Sequence, residues 1–398
     1  MASSPTRSLI ALAGVVLVGM TGFGVFLPIF PFLALHLGAS PTTTTIAMGA
    51  YSLGQLISSP FWGRLSDRLG RKPILITGLL GGCASYLMLA HADSIWMLGG
   101  ARLFGGLMAG NVGAAFAAAA DLADERTRAR NMGLLGASVG FGFIAGPAFG
   151  AMLIGVAPDT ASYVRVCYAS AAFALSAAAL ALLLFGETLP KDARHAPGDA
   201  RVRRWSLLTS RPLLTRFVGV MFLMIAAQAL METTFGLWAG AVLNWGPREV
   251  GWTLAALGFG AALLQGGVAG RAARAIGERI TLMVGLGLFA AAFAGLALAH
   301  APTGAIAALV ALVLGVGLAT PALQSLVAAQ AQDADRGVVM GLSQSAAALG
   351  RVAAPLCAGA LFDGLGPGAP YVVGALVLLA ALLVAGAEPA SAQSASRG

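Results

Sequence analysis

Apolar residues in this chain neither alternate with polar ones, as in a half-buried strand, nor form the narrow stripe of a surface helix. They run in long blocks separated by short polar segments. The blocks predict helices over Leu9–Leu35, Thr44–Phe61, Ile74–Leu89, Ile95–Ala118, Asn131–Val156 and Tyr163–Phe185. A second set follows at Leu213–Val242, Val250–Ala269, Ile280–Ala299, Thr303–Ala328, Val338–Leu361 and Pro370–Gly386. Crossing a hydrocarbon core of about 30 Å takes about 20 apolar residues, because in lipid every backbone N–H and C=O must be paired within its own segment. The pattern therefore predicts an all-α membrane protein with twelve transmembrane helices.

Composition agrees: of 398 residues, 58% are hydrophobic and 10% charged, too few charges to cover a water-facing surface. The first block follows Arg7 and is longer than a signal-peptide core, so it is expected to be retained as a helix. Cys83, Cys167 and Cys357 lie in apolar runs and are odd in number, which implies packing and neither a disulfide frame nor a metal site; no cofactor is expected. Lys and Arg near helix ends are retained on the cytoplasmic side. With both termini cytoplasmic, all but four of the 24 Lys and Arg fall on that side; Arg165 and Arg248 lie outside, Arg102 and Arg351 within helices. The net charge of +8 is thus explained by topology in a cell (inner or plasma) membrane, and no basic block points to nucleic acid.

The most polar stretch, 186–212, holds Lys191, Asp192, Arg194, His195, Arg201, Arg203 and Arg204 and reads as a cytoplasmic linker between bundles of six helices at 1–185 and 213–398. The two bundles repeat each other. Gly63, Arg64, Gly70 and Lys72 correspond to Gly270, Arg271, Gly277 and Arg279, and Arg128, Met132, Gly133, Leu134, Gly142 and Pro147 to Arg336, Met340, Gly341, Leu342, Gly350 and Pro355. Two parallel repeats that rock about a midplane cavity are what alternating access requires.

Between the second and third blocks the chain reads Gly63-Arg64-Leu65-Ser66-Asp67-Arg68-Leu69-Gly70-Arg71-Lys72-Pro73. This resembles the cytoplasmic signature of the major facilitator superfamily. The resemblance runs the full length, through twelve helices, two pseudo-symmetric halves and a central loop. It implies the major facilitator fold, usually a monomer, and a conformational latch: Asp67 would meet the start of the eleventh helix near Asp335–Val338, with Arg71 and Asp121 completing a charge relay. The fourth helix opens on Arg102-Leu103-Phe104-Gly105-Gly106-Leu107, similar to a second signature. A charge in a bilayer is costly, so Arg102 is expected to line a cavity or meet a partner, in a structural or a proton-coupling role. In the fifth helix, Gly142-Phe143-Ile144-Ala145-Gly146-Pro147-Ala148-Phe149-Gly150 resembles the antiporter motif of the drug-efflux branch, with Ala151 where a further glycine is common. Small residues four apart admit a neighbouring helix and the proline bends the chain, so Gly142, Gly146, Pro147 and Gly150 serve packing as readily as exchange.

Of the sixteen acidic residues, only Glu232 lies well inside an apolar block, on one face with Met221, Ile225, Gln228 and Phe235. A lone embedded carboxylate that alternates between its protonated and charged forms meets the requirement for proton coupling; the alternative is a structural hydrogen bond. Candidates for the wall of a substrate cavity are Phe23, Phe26, Asn111, Gln228, Phe235, Trp238, Gln265, Gln324 and Gln344, since ligand sites are mostly apolar with a few placed polar groups. A drug:proton antiporter that exports small hydrophobic or cationic molecules, with protons and membrane lipid as its other partners, is the leading expectation. An uptake symporter or metabolite exporter of the same fold is the second. A membrane-embedded enzyme or receptor is the third; the four histidines are dispersed and no phosphate-binding Lys-Ser/Thr loop occurs.

Overall fold

In the computed structural model, residues 5–124, 126–189, 210–332 and 335–387 are described. Linker residues Lys191, Asp192, Arg194, His195, Arg201, Arg203 and Arg204 lie outside them. Among the described residues every regular element is helical: α1 Pro5–Phe26, α2 Phe30–His36, α3 Pro41–Leu69, α4 Arg71–Ala90, α5 Ile95–Leu107, α6 Asn111–Asp121, α7 Arg128–Ile154, α8 Thr160–Leu184, α9 Pro212–Leu243, α10 Pro247–Leu263, α11 Ala269–Ile276, α12 Glu278–Leu298, α13 Pro302–Ala329, α14 Arg336–Leu365 and α15 Ala369–Gly386. A π-helical turn, Leu264–Val268, joins α10 to α11.

Ten of these spans are long and apolar enough to cross a membrane. The other two predicted crossings are also helical, for visible reasons outside that set. Helix α3 carries Arg64, Asp67 and Arg68 near its C-terminus among many Ser and Thr, and the eighth block is divided by the π turn. Two further blocks are broken. The first splits at Leu27–Ile29, beside Pro28 and Pro31. The fourth splits at Met108–Gly110, where α3 takes up the freed carbonyls: Trp62 Nε1 donates to Leu107 O at 2.6 Å and Ser58 Oγ to Gly106 O at 3.2 Å.

The chain forms two compact units, 1–198 with 235–259, and 199–234 with 260–398. In the first, close helix approach rests on glycine. A Cβ on Gly54 would lie 2.5 Å from Leu103 O, and Gly106 abuts the backbone of Tyr51, so α3 and α5 run nearly in backbone contact. Phe26, Ile29, Phe30, Tyr86 and Leu98 fill one core and Leu12, Val15, Leu79, Ala115 and Leu135 another. In the second unit, Gly285 and Gly315 let α12 and α13 touch, and Phe289, Phe293 and Tyr371 form a run of edge-to-face rings. Leu183, Leu298, Leu365 and Leu383 are exposed, a surface suited to lipid.

The repeat extends to how helix ends are held. Lys72 Nζ donates to Leu182 O at the end of α8, and Arg279, its counterpart, donates to Ala385, Gly386 and Ala387 O at the end of α15. Cations thus satisfy carbonyls that a helix C-terminus leaves open. At the start of α4 itself, the Glu187 carboxylate accepts the Arg71 and Lys72 N–H groups.

Candidate functional site

Arg102 leaves α5 into the interior of the first unit and is 4% exposed. Four rings surround its guanidinium: Tyr51 at 4.9 Å, Phe30 at 5.4 Å, Phe26 at 5.6 Å and Phe23 at 5.7 Å. Glycine and the α5–α6 break create this chamber. Asn111 opens α6 and rests on Gly78, while Gly105 lies against Ser85. Among the described residues no carboxylate pairs with Arg102, and its Nε has no hydrogen-bond partner. A cation over a ring gains about 0.5–2 kcal/mol, whereas removing an unpaired charge from water costs several kcal/mol. The rings therefore offset part of the cost without supplying a counter-charge. The chamber continues into a cavity of about 50 Å³ lined by Phe23, Tyr51, Gly82, Tyr86, Arg102 and Asn111, among others. Sequence reasoning missed Tyr51 and Tyr86; the chain has five tyrosines in all, and their placement inside apolar blocks was the available signal.

In the second unit, Glu232 lies on α9 and is exposed among largely buried neighbours. Gln228, one turn earlier, donates Nε2 to Glu232 Oε1 at 2.9 Å, and the positive charge of Arg351 on α14 acts on the same carboxylate. Two residues further on, the Thr234 hydroxyl donates to Leu230 O at 2.7 Å, within the same helix.

At the end of α3, Arg71 joins two carboxylates. Its Nη1 lies 2.6 Å from Asp67 Oδ1 and its Nε 2.9 Å from Asp121 Oδ2, with Ser66 Oγ accepting a further bond. The Arg71 side chain is 11% exposed and that of Asp67 47%, so the arginine is fixed and Asp67 keeps a face open. A cavity of about 310 Å³ adjoins them, lined also by Gln55, Ser59, Trp62 and Gly110. In the second unit Asp335, at the start of α14, is buried against Arg211 at 2.7 Å and accepts the Gln332 N–H. Nothing in sequence reasoning singled out Arg211, because the partner lies 124 residues away.

The glycines of α7 face α1. A Cβ on Gly142 would lie 2.5 Å from Met20 Cβ, one on Gly146 2.5 Å from Gly24 Cα, and one on Gly150 2.5 Å from Val25 O. Pro147 lacks the N–H that would bond the Phe143 carbonyl one turn back, and next to it Gly251 of α10 approaches Pro147 O and Ala151.

Of the cavity candidates, Phe23 and Asn111 line the Arg102 chamber and Phe26 packs beneath it. Phe235 and Trp238 are fully buried and stacked on each other at 6.1 Å. Gln324 and Gln344 are exposed on α13 and α14. Gln265 falls in the π turn, and its side chain is outside the described residues. No cluster of three metal-ligating side chains occurs among the described residues.

An all-helical chain of repeated apolar spans, with a caged arginine and an embedded acid in its helices, has the build of a membrane transport protein. The sequence pattern of the Major Facilitator Superfamily matches residues 12–320 and again 217–397, and the chain belongs to that family. It is 29% identical over 389 residues to the class G tetracycline resistance protein of Vibrio anguillarum, covering 94% of this chain and 96% of that one. It is 25% identical to multidrug resistance protein 2 of Bacillus subtilis, over 87% of each. The crystal structure of the human organic anion transporter MFSD10 aligns with a TM-score of 0.70 at 23% identity, over 96% of this chain and all of that one, and shares its fold. The chain is a multi-pass membrane transporter of small molecules, with tetracycline and multidrug efflux proteins among its relatives.

Proposed function

We propose that this protein exports small molecules in exchange for protons, by alternating access, across a cell membrane in which both termini are cytoplasmic. The observation that carries the reading is Glu232, an acid inside a membrane-spanning helix with a neutral glutamine one turn away and Arg351 as the cation acting on it. A carboxylate so placed can pick up a proton on one side and lose it on the other, which ties the direction of export to the pH gradient. The efflux proteins among the relatives support export over uptake. Asp67, Arg71 and Asp121 serve as a conformational latch, held by one arginine that pairs with both carboxylates. The glycines and proline of α7 serve as a close-packed seam with α1 and α10.

The test is flux in proteoliposomes containing the purified full-length chain. With an imposed pH gradient, a drug panel that includes tetracycline is expected to move against its concentration gradient, with protons moving the opposite way. Drug movement that is indifferent to the gradient would remove proton exchange.

A further inference from the structure

The chamber beside Arg102 has donors and no acceptor of matching charge. Arg102 is the charged residue in its wall, buried, with its Nε unpartnered. Tyr51, Tyr86 and Asn111, each with a polar side chain able to donate, line the same cavity. Ser85 is already committed, donating to Ala101 O at 2.8 Å. The cavity of about 50 Å³ has room for a carboxylate-sized group. A guanidinium fork, two phenols and an amide converging on a small space with ring walls form a site for a planar anion.

We propose that this chamber binds the carboxylate, or an equivalent delocalised oxyanion, of the transported molecule. The guanidinium meets the charge, Tyr51, Tyr86 and Asn111 donate to the oxygens, and the ring of Phe23 receives the apolar part next to the anionic head. Arg102 is then a substrate-recognition residue, and the cargo is an organic acid. This rests on reading the chain as a transporter of small molecules; it does not need that transport to be driven by protons.

The experiment measures equilibrium binding of radiolabelled benzoate and of benzamide, its neutral isostere, to the purified full-length chain in nanodiscs with no gradient. Benzoate is expected to bind at least ten-fold more tightly than benzamide. The R102Q variant is expected to lose that preference. Gly82 lines the cavity and a Cβ there would meet nothing within 4 Å, so G82L fills the space while leaving Arg102 in place, and is expected to lose benzoate binding with an unchanged melting temperature. That second variant keeps the test decisive if R102Q does not fold. Equal affinity for benzoate and benzamide, or a benzoate preference that survives in a folded R102Q or in G82L, would overturn the proposal. So would displacement of benzoate by an equal concentration of chloride, which would assign the site to inorganic anions. Benzoate bound at Arg102 by a protein that moves no protons in the flux assay would leave this site standing and remove only proton exchange.

Discussion

Arg102 and Glu232 show two ways of keeping a charge inside an apolar helix. The arginine is wrapped in rings, while the glutamate remains exposed with one hydrogen bond from Gln228. Glu232 was legible in the sequence, because an acid in an apolar block has no generic packing role. The cage of Arg102 was not, since Tyr51 comes from α3 and the phenylalanines from α1 and α2, a convergence no local pattern encodes. Replacing Glu232 with Gln keeps the shape and removes the proton site; proteoliposome flux is expected to lose its dependence on the pH gradient, with gradient-driven export down at least ten-fold and passive equilibration of the substrate retained. A second residue-scale prediction concerns Asp124, in the loop before α7. Its carboxylate accepts from the Thr127 hydroxyl at 2.6 Å and the Thr127 N–H at 2.7 Å, the hydroxyl first in effect, and is held below the usual carboxylate range. A lowered folded-state value stabilises the protein above the unfolded-state value, near pH 4, and the contribution disappears as pH falls through the folded value. Thr127→Val removes the hydroxyl donor and with it part of that contribution, so its melting temperature is expected to lie below the parent's at pH 6 and to fall less between pH 6 and pH 3, the two curves converging at the acid end; parallel curves would overturn this.

At the scale of elements, close approach of backbones does what apolar burial does in water-soluble cores, because lipid offers no hydrophobic gain for helix association. The seam between α1 and α7 depends on this at Gly24, Gly142 and Gly146. Gly146→Leu would put four carbons where the Gly24 backbone stands, an overpacking that costs about 1–3 kcal/mol or more. A lower melting temperature and loss of transport are expected together, and retention of both would mean that the seam is slack. Helix positions were largely legible from block length alone. The interruptions were less so. Pro28 and Pro31 announced a bend in the first block, whereas the break at Met108–Gly110 depends on Trp62 reaching in from α3 to take a carbonyl, and the π turn at Leu264–Val268 has no counterpart in the apolar pattern.

At the scale of the molecule, the duplicated sequence gives duplicated mechanics with one asymmetry. Lys72 and Arg279 close corresponding helix ends, but Asp67 has Arg274 at its position in the second copy. A latch of the proposed kind therefore exists once per chain. Asp67→Asn is expected to abolish net export while membrane abundance, read by quantitative blotting, stays at the parent level; normal export would dismiss the latch. The duplication was visible because Gly, Pro and Arg recur at a near-constant offset, 207 positions in one stretch and 208 in the next. The pairing of Arg211 with Asp335 was not, since it joins the end of the linker to the start of α14. The π turn has a geometric corollary for the second copy. One added residue in a helix rotates everything beyond it by about 100°, so α11, with Arg271 and Arg274, is turned about its axis relative to a straight continuation of α10. Removing Gly266 would restore the ordinary winding and swing both arginines toward a different neighbour, making that single glycine the phase-setter for where the second copy presents its basic residues.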